Sequence, residues 1–137
     1  MIKNICKDEK ILSLVSVDAT IDDVSIGYDL LDTINFHKNG CVGMAANMIG
    51  VLKRILVYED IDKKYKLMFN PTIISYSGEY IVEEGCLSLV GLRKTKRYMK
   101  IKVEYYNEKF QKRLKTFTGF VAEIIQHQID HMNGIII

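Results

Sequence analysis

The chain has 137 residues, 48% of them hydrophobic, and a formal net charge of +2. That is enough for one domain with its own core and too little for two, so residues 1–137 are expected to form a single domain. The charge is mild and its Lys and Arg residues are spread along the chain, which argues against nucleic acid or an anionic membrane surface as a partner. No run of roughly 18 apolar residues offers a membrane span. Met1 to Lys10 lacks the continuous apolar stretch of a signal peptide. Cys6, Cys41 and Cys86 are an odd, unpatterned set that fits a reducing, cytoplasmic setting better than a disulfide framework.

Residues 1–19 have no clear periodicity. Thr20, with Asp23 three residues on, reads as a helix start. Val24, Tyr28, Leu31 and Ile34 then recur at helical spacing and predict an amphipathic helix over about 21–37. Lys38-Asn39-Gly40 ends it, with Gly40 free to take a left-handed cap. His37, at that end, reads as a surface histidine favoured by the helix dipole rather than as a ligand. Cys41 to Gly50 is small and apolar. Arg54 to Tyr58, Tyr65 to Phe69 and Thr72 to Tyr76 read as three strands, the second closed by Asn70-Pro71 and the third by Ser77-Gly78. Lys100 to Tyr106 alternates at period two and is the cleanest strand. Asn107-Glu108-Lys109 turns it, and Arg113 to Phe117 pairs back as a hairpin. Gly119 opens a second helix that Asn133-Gly134 closes, and Ile135-Ile136-Ile137 reads as an edge strand. The sum is α+β, with antiparallel strands packed around a central helix.

His127 and His131 lie four apart on that helix, so both imidazoles can reach one metal ion. Cys86, within Glu84-Gly85-Cys86-Leu87-Ser88, is the candidate third ligand. One Cys and two His leave a fourth position open, as in a catalytic rather than a closed structural site. A thiolate with two neutral imidazoles suits iron or zinc. Gln128 is discordant, because a glutamate normally follows the first histidine of such a helix and acts as general base.

Together with Gly43-Met44-Ala45-Ala46 and Ile49-Gly50, these segments resemble the three signature motifs of bacterial peptide deformylases, in the same order and spacing. The resemblance runs from about residue 20 to the end, and Asn70-Pro71 and Arg93 share in it. It implies an α+β fold built around the metal-binding helix, and removal of the formyl group from N-formylmethionine on newly made proteins. It implies Fe²⁺ as the metal, with Zn²⁺, Ni²⁺ or Co²⁺ able to replace it. The implied partners are N-formylmethionyl peptides or nascent chains near the ribosome, with no nucleic acid and no membrane.

Carried over by position, Cys86, His127 and His131 would hold the metal, and the backbone N–H of Leu87 would hold the developing oxyanion. Glu84 would orient a ligand imidazole. Asp130 would assist it or be a helix-surface charge. Val42, Gly43 and Met44 would line the methionine pocket and bind an extended peptide, and Arg93 would contact substrate or stay solvated. The chain departs from the family pattern at Cys41 for glycine, Asn47 for proline, Met48 for the oxyanion-donating glutamine, and Gln128 for the catalytic glutamate. These changes predict a deformylase of weak or lost activity. The alternative is an inactive relative that binds metal and peptide N-termini. A third reading leaves Cys86 and the two histidines with a structural role alone.

Overall fold

The computed structural model of the chain describes residues 1–86 and 88–137. Five strands form one antiparallel sheet in sequential order: β1 (Gly43–Ala45), β2 (Ile55–Glu59), β3 (Tyr65–Cys86), β4 (Leu89–Tyr106) and β5 (Lys112–Thr118). Three helices accompany it: α1 (Glu9–Leu12), α2 (Val24–Phe36) and α3 (Gly119–Met132). Among the described residues, no helix is long and apolar enough to cross a membrane.

The helix expected over 21–37 is present with a single 3₁₀ turn at Ile21–Asp23 leading into α2. The Asp23 carboxylate accepts the Thr20 backbone N–H at 2.8 Å, which ties down the entry. Gly40 has φ +106, in the left-handed region expected of it. The segment from Cys41 to Gly50 holds β1 and a 3₁₀ turn, Ala46–Ile49.

The strands read separately at 65–69 and 72–76 are one strand. At Asn70-Pro71 the ladder shifts register without ending, with Asn70 at φ 52. The Asn70 side chain clamps the Ala19 backbone through both its N–H, accepted at 2.7 Å, and its carbonyl, at 2.9 Å. A bulge accommodates the proline that a regular ladder would reject. Ser77-Gly78 likewise continues the strand, with Ser77 opposite Lys100 and Glu79 opposite Tyr98. Residues 79–86 and 89–99, which carry no clean alternation, become the two arms of a long β3–β4 hairpin. Ile135–Ile137 forms no strand, although Ile137 is buried.

The core sits where α2 and α3 meet the sheet. Ile55, Leu56, Val57 and Tyr58 of β2 are all buried, so the sheet is covered on both faces there. On β4, Ile101, Val103 and Tyr105 point inward, in the alternation read from the sequence. On α3, Ala122, Ile125, Ile129 and Met132 form the apolar stripe. His127, Gln128 and His131 are buried on the same helix. A helix polar on a buried face must find partners for those groups inside the protein, and His127 finds one in Glu84 near the end of β3.

Candidate metal centre

Cys86 closes β3, and α3 supplies the two histidines. One ligand atom from each of Cys86, His127 and His131 lies within 4.8 Å of the others. The Nε2 atoms of His127 and His131 face each other at 3.0 Å. The Ser88 backbone N–H points at Cys86 Sγ, 3.4 Å away. These donors fit a divalent metal of the iron or zinc type, because a thiolate and two imidazole nitrogens already converge with an open side toward a cavity.

Behind the ligands stands a buried charge relay. His127 Nδ1 lies 2.7 Å from Glu84 Oε1. Burial disfavours the Glu84 anion, but the His127 and Arg97 hydrogen bonds outweigh it and bring the carboxyl down to about 2. An ionised Glu84 can only accept, so Nδ1 carries the proton and Nε2 is turned toward Cys86 and His131. Arg97 donates to Glu84 from Nε at 3.1 Å and from Nη2 at 2.8 Å, and from Nη1 to Asp130 at 2.7 Å. This places Asp130 in the support network rather than as an isolated surface charge.

The candidate ligands Cys86 and His127 shift each other's protonation. Burial works against the Cys86 thiolate, yet hydrogen bonds from His127 and His131 bring the thiol down to about 6. Burial likewise opposes a charged His127, while Cys86 and Glu84 raise it to about 9. Ligand set and support are thus mutually stabilising, and a cation would replace the ring protons between them.

A cavity of about 400 Å³ opens beside the ligands, lined in part by Val42, Gly43, Met48, Cys86, His127 and Gln128. Gly43 is required by close approach: a Cβ there would stand 2.7 Å from Ile124 Cγ2 and 2.8 Å from Gln128 Nε2. Gln128 is 5% exposed, and its Oε1 has no partner among the described residues. Met48 Sδ lies 3.9 Å from Cys86 Sγ and accepts the Ala45 N–H at 3.4 Å. Asn47 donates from Nδ2 to the His131 carbonyl at 2.8 Å, tying the turn after β1 to the last turn of α3.

Most of the residues singled out in the sequence converge here, and two do not. The Met44 side chain is fully buried in the core and does not line the cavity, because β1 turns it to the sheet's packed side. Arg93 also stands off the cavity; its guanidinium reaches the Val90 carbonyl at 3.4 Å. Leu87 lies outside the described residues. Arg97, Tyr80 and Glu123 were not singled out. Arg97 pairs with Tyr80 across the hairpin, and Tyr80 and Glu84 are an even number of residues apart on β3, so all three share one face. Only the hairpin register reveals that arrangement.

The polypeptide deformylase family model matches residues 2–137. A peptide deformylase of Clostridium beijerinckii is 49% identical over the full length of both chains. Peptide deformylase 1 of Clostridium perfringens is 39% identical over 110 residues, 79% of this chain and 74% of that one. Among solved structures, a class I type b peptide deformylase from Acinetobacter baumannii superposes with a TM-score of 0.89 at 28% identity, covering 99% of this chain and 96% of that one. The same enzyme with Met-Ala-Ser bound gives 0.87 at 27% identity, covering 99% and 97%. The fold is that of a family of metal-dependent hydrolases. The chain belongs to the polypeptide deformylase family.

Proposed function

We propose that this protein hydrolyses formyl amides at the Cys86–His127–His131 centre, with N-formylmethionyl peptides on nascent chains as substrate and Fe²⁺ as metal. Turnover is far below that of a site equipped with a glutamate. The observation that carries this reading is the convergence of three soft-to-borderline ligands within 4.8 Å beside the cavity. In the reaction, water adds to the formyl carbon, the C–N bond breaks, formate leaves and the freed amine takes the proton. When bound, the metal supplies Lewis acidity to the formyl oxygen and acidifies water.

The chain's own residues do the positioning. Glu84, held by Arg97, fixes the His127 ring. β1 is the edge strand of the sheet, so its free side at Gly43 offers hydrogen bonds to an extended peptide, with Val42 and Met44 flanking it. The N–H of Leu87 is assigned to the oxyanion by family resemblance. Gln128 can orient a water or the substrate amide but cannot take a proton, which costs about 10²–10⁴ in rate. Met48 cannot donate to the oxyanion, which costs about 10²–10³. The two losses need not multiply, since groups acting as a unit are coupled.

A second reading, an inactive relative that binds metal and peptide N-termini, is favoured by Met48. Its thioether lies against Cys86 Sγ where the family has a donor. The experiment is an anaerobic assay of Fe²⁺-loaded protein on a formyl-Met dipeptide, beside Gln128→Glu and Gln128→Glu/Met48→Gln, with metal content measured on each. Slow turnover above free metal, raised about 10²-fold or more by Gln128→Glu, supports the first reading. A metal-replete but inactive parent rescued only by the double change supports the second. If no variant turns over while all bind metal, the hydrolase reading fails.

A further inference from the structure

A second cavity, of about 420 Å³, shares no lining residue with the one beside the metal ligands. It opens where β3 and β4 separate. Their ladder starts at Phe69 opposite Tyr106, β4 turns away at Asn107, and Tyr65 to Met68 pair with β2 alone. That leaves an open edge. The Asp60 N–H donates to the Lys64 carbonyl at 2.9 Å and the Asn70 N–H to the Arg54 carbonyl at 2.8 Å, whereas the Glu59 N–H turns the other way, to the Val42 carbonyl at 2.8 Å. Main-chain direction alternates along an antiparallel ladder, so Leu67 aims its N–H and C=O away from β2, into the space that β4 has left. Neither group has a main-chain partner there among the described residues.

Two side chains add an independent signal. Tyr58 and Tyr105 line this cavity, are only 2% and 8% exposed, and have hydroxyls with no protein partner among the described residues. Tyr65, by contrast, commits its hydroxyl to the Cys41 carbonyl at 2.7 Å. Burial pushes the Tyr58 and Tyr105 phenols up, so both stay neutral O–H donors. Donors held in so sheltered a place favour an occupant that brings acceptors. Lys66 and Lys115 also line the cavity, but both reach Asp60, at 2.8 and 3.8 Å, and Lys66 reaches Asp62 at 3.3 Å. With Glu108 on the wall, three acids outnumber two ammonium groups, which disfavours a net anion. Leu31 and the Tyr28 ring, both on α2, offer an apolar wall to a flat body.

We infer that this cavity binds a neutral planar ring that carries an amide edge, the class of aromatic carboxamides. The amide N–H donates to the Leu67 carbonyl and the amide oxygen accepts from the Leu67 N–H, as a neighbouring strand would. The two tyrosine hydroxyls donate to that oxygen and to a ring nitrogen, and the ring lies against Leu31 and Tyr28. The site stands apart from the metal chemistry, so its occupant is a ligand and not a substrate of the Cys86–His127–His131 centre.

The test uses nicotinamide, its N,N-dimethyl derivative, which lacks the amide N–H, and nicotinate, which replaces the amide by a carboxylate. Each is titrated into Co²⁺-loaded full-length protein, read by calorimetry and by the NMR ring signals of labelled tyrosine, with and without acetohydroxamate on the metal. Nicotinamide is expected to bind with a Kd below about 1 mM and to shift tyrosine signals equally in both series. The dimethyl compound and nicotinate are each expected to bind at least about tenfold more weakly. Tyr58→Phe and Tyr105→Phe, which keep the rings, each weaken nicotinamide about three- to tenfold. Leu31→Trp, which fills the cavity from its α2 wall without touching either hydroxyl, abolishes binding with metal content unchanged. Nicotinamide binding weaker than about 1 mM, equal binding of the dimethyl compound, equal or tighter binding of nicotinate, an affinity untouched by both tyrosine changes, or displacement by acetohydroxamate each overturns the inference. All five leave the metal-site reading standing.

Discussion

Arg97 is the residue whose removal most directly tests the support behind the metal ligands. Its side chain is 4% exposed and that of Glu84 is 7% exposed. Arg97→Met keeps the aliphatic stem but deletes three hydrogen bonds to Glu84 and one to Asp130. The carboxylate then stays buried, still bonded to His127 but without its cation. Breaking a buried pair from one side costs about 3–5 kcal/mol, because an uncompensated charge stays behind. Against a total stability of about 5–15 kcal/mol that is a large fraction. The expected fall in Tm is about 10–20 °C for a chain of this size. The same change loosens the His127 ring and lowers metal affinity by about 10–100-fold. Chemical denaturation of the metal-free protein, with metal titration alongside, measures both. Arg97→Met/Glu84→Met separates charge from packing: with both charges gone, most of the loss is recovered, and a double-mutant cycle gives the coupling. Arg97→Lys restores little, because an ammonium cannot reproduce the fork. A cost below about 1 kcal/mol for Arg97→Met would refute the reasoning, since that is the range of an exposed pair.

Gly43→Ala forces a methyl against Ile124 and the Gln128 amide; it is expected to cost about 1–3 kcal/mol and to weaken hydroxamate binding, measured by denaturation and calorimetry. Cys86→Ala is expected to drop metal content from about one equivalent to a small fraction while leaving the circular dichroism spectrum intact, because two imidazoles alone leave the site short of its usual three protein ligands. For Tyr80, burial and the bond to Glu123 push the phenol up to about 12. A raised pKa stabilises the fold fully below the ordinary tyrosine value near 10 and is lost as pH rises through about 12. Relative to Tyr80→Phe, the parent should therefore lose its advantage between about pH 10 and 12. Phenolate absorbance of the two proteins should differ by one late-ionising tyrosine; a phenol that ionises near 10 would break the Tyr80–Glu123 link.

Much of this protein is legible in the local signals of its sequence. The period of Val24, Tyr28, Leu31 and Ile34 marks α2, and the alternation around Val103 marks β4, because each element buries one face and its sequence must repeat at the period of that face. His127 and His131 are legible as a pair because four residues is one helical turn. Cys86 joins them only through the resemblance of its motif, since no local rule brings a residue so far upstream to a helix. The limits lie at Asn70-Pro71 and Ser77-Gly78, where punctuation that usually ends a strand is absorbed as a bulge and a positive-φ glycine within one long strand.

What the tertiary structure alone decided is which polar residues serve the site. Arg97 sits in a run of basic residues, Lys94 to Lys100, that looks like a solvated face. Only the register placing it opposite Tyr80, on the face shared with Glu84, buries it and makes it the counter-ion of the relay. Met44 shows the converse: it lies in a signature motif, yet the pleat of β1 turns its side chain into the core. Glu123 resembles any helix-surface acid until the cavity it lines and the Tyr80 hydroxyl that donates to it come together. Residue type and spacing determine what chemistry a chain can perform along one element; long-range strand pairing and helix docking determine which charges are removed from water, and so which of them interact strongly.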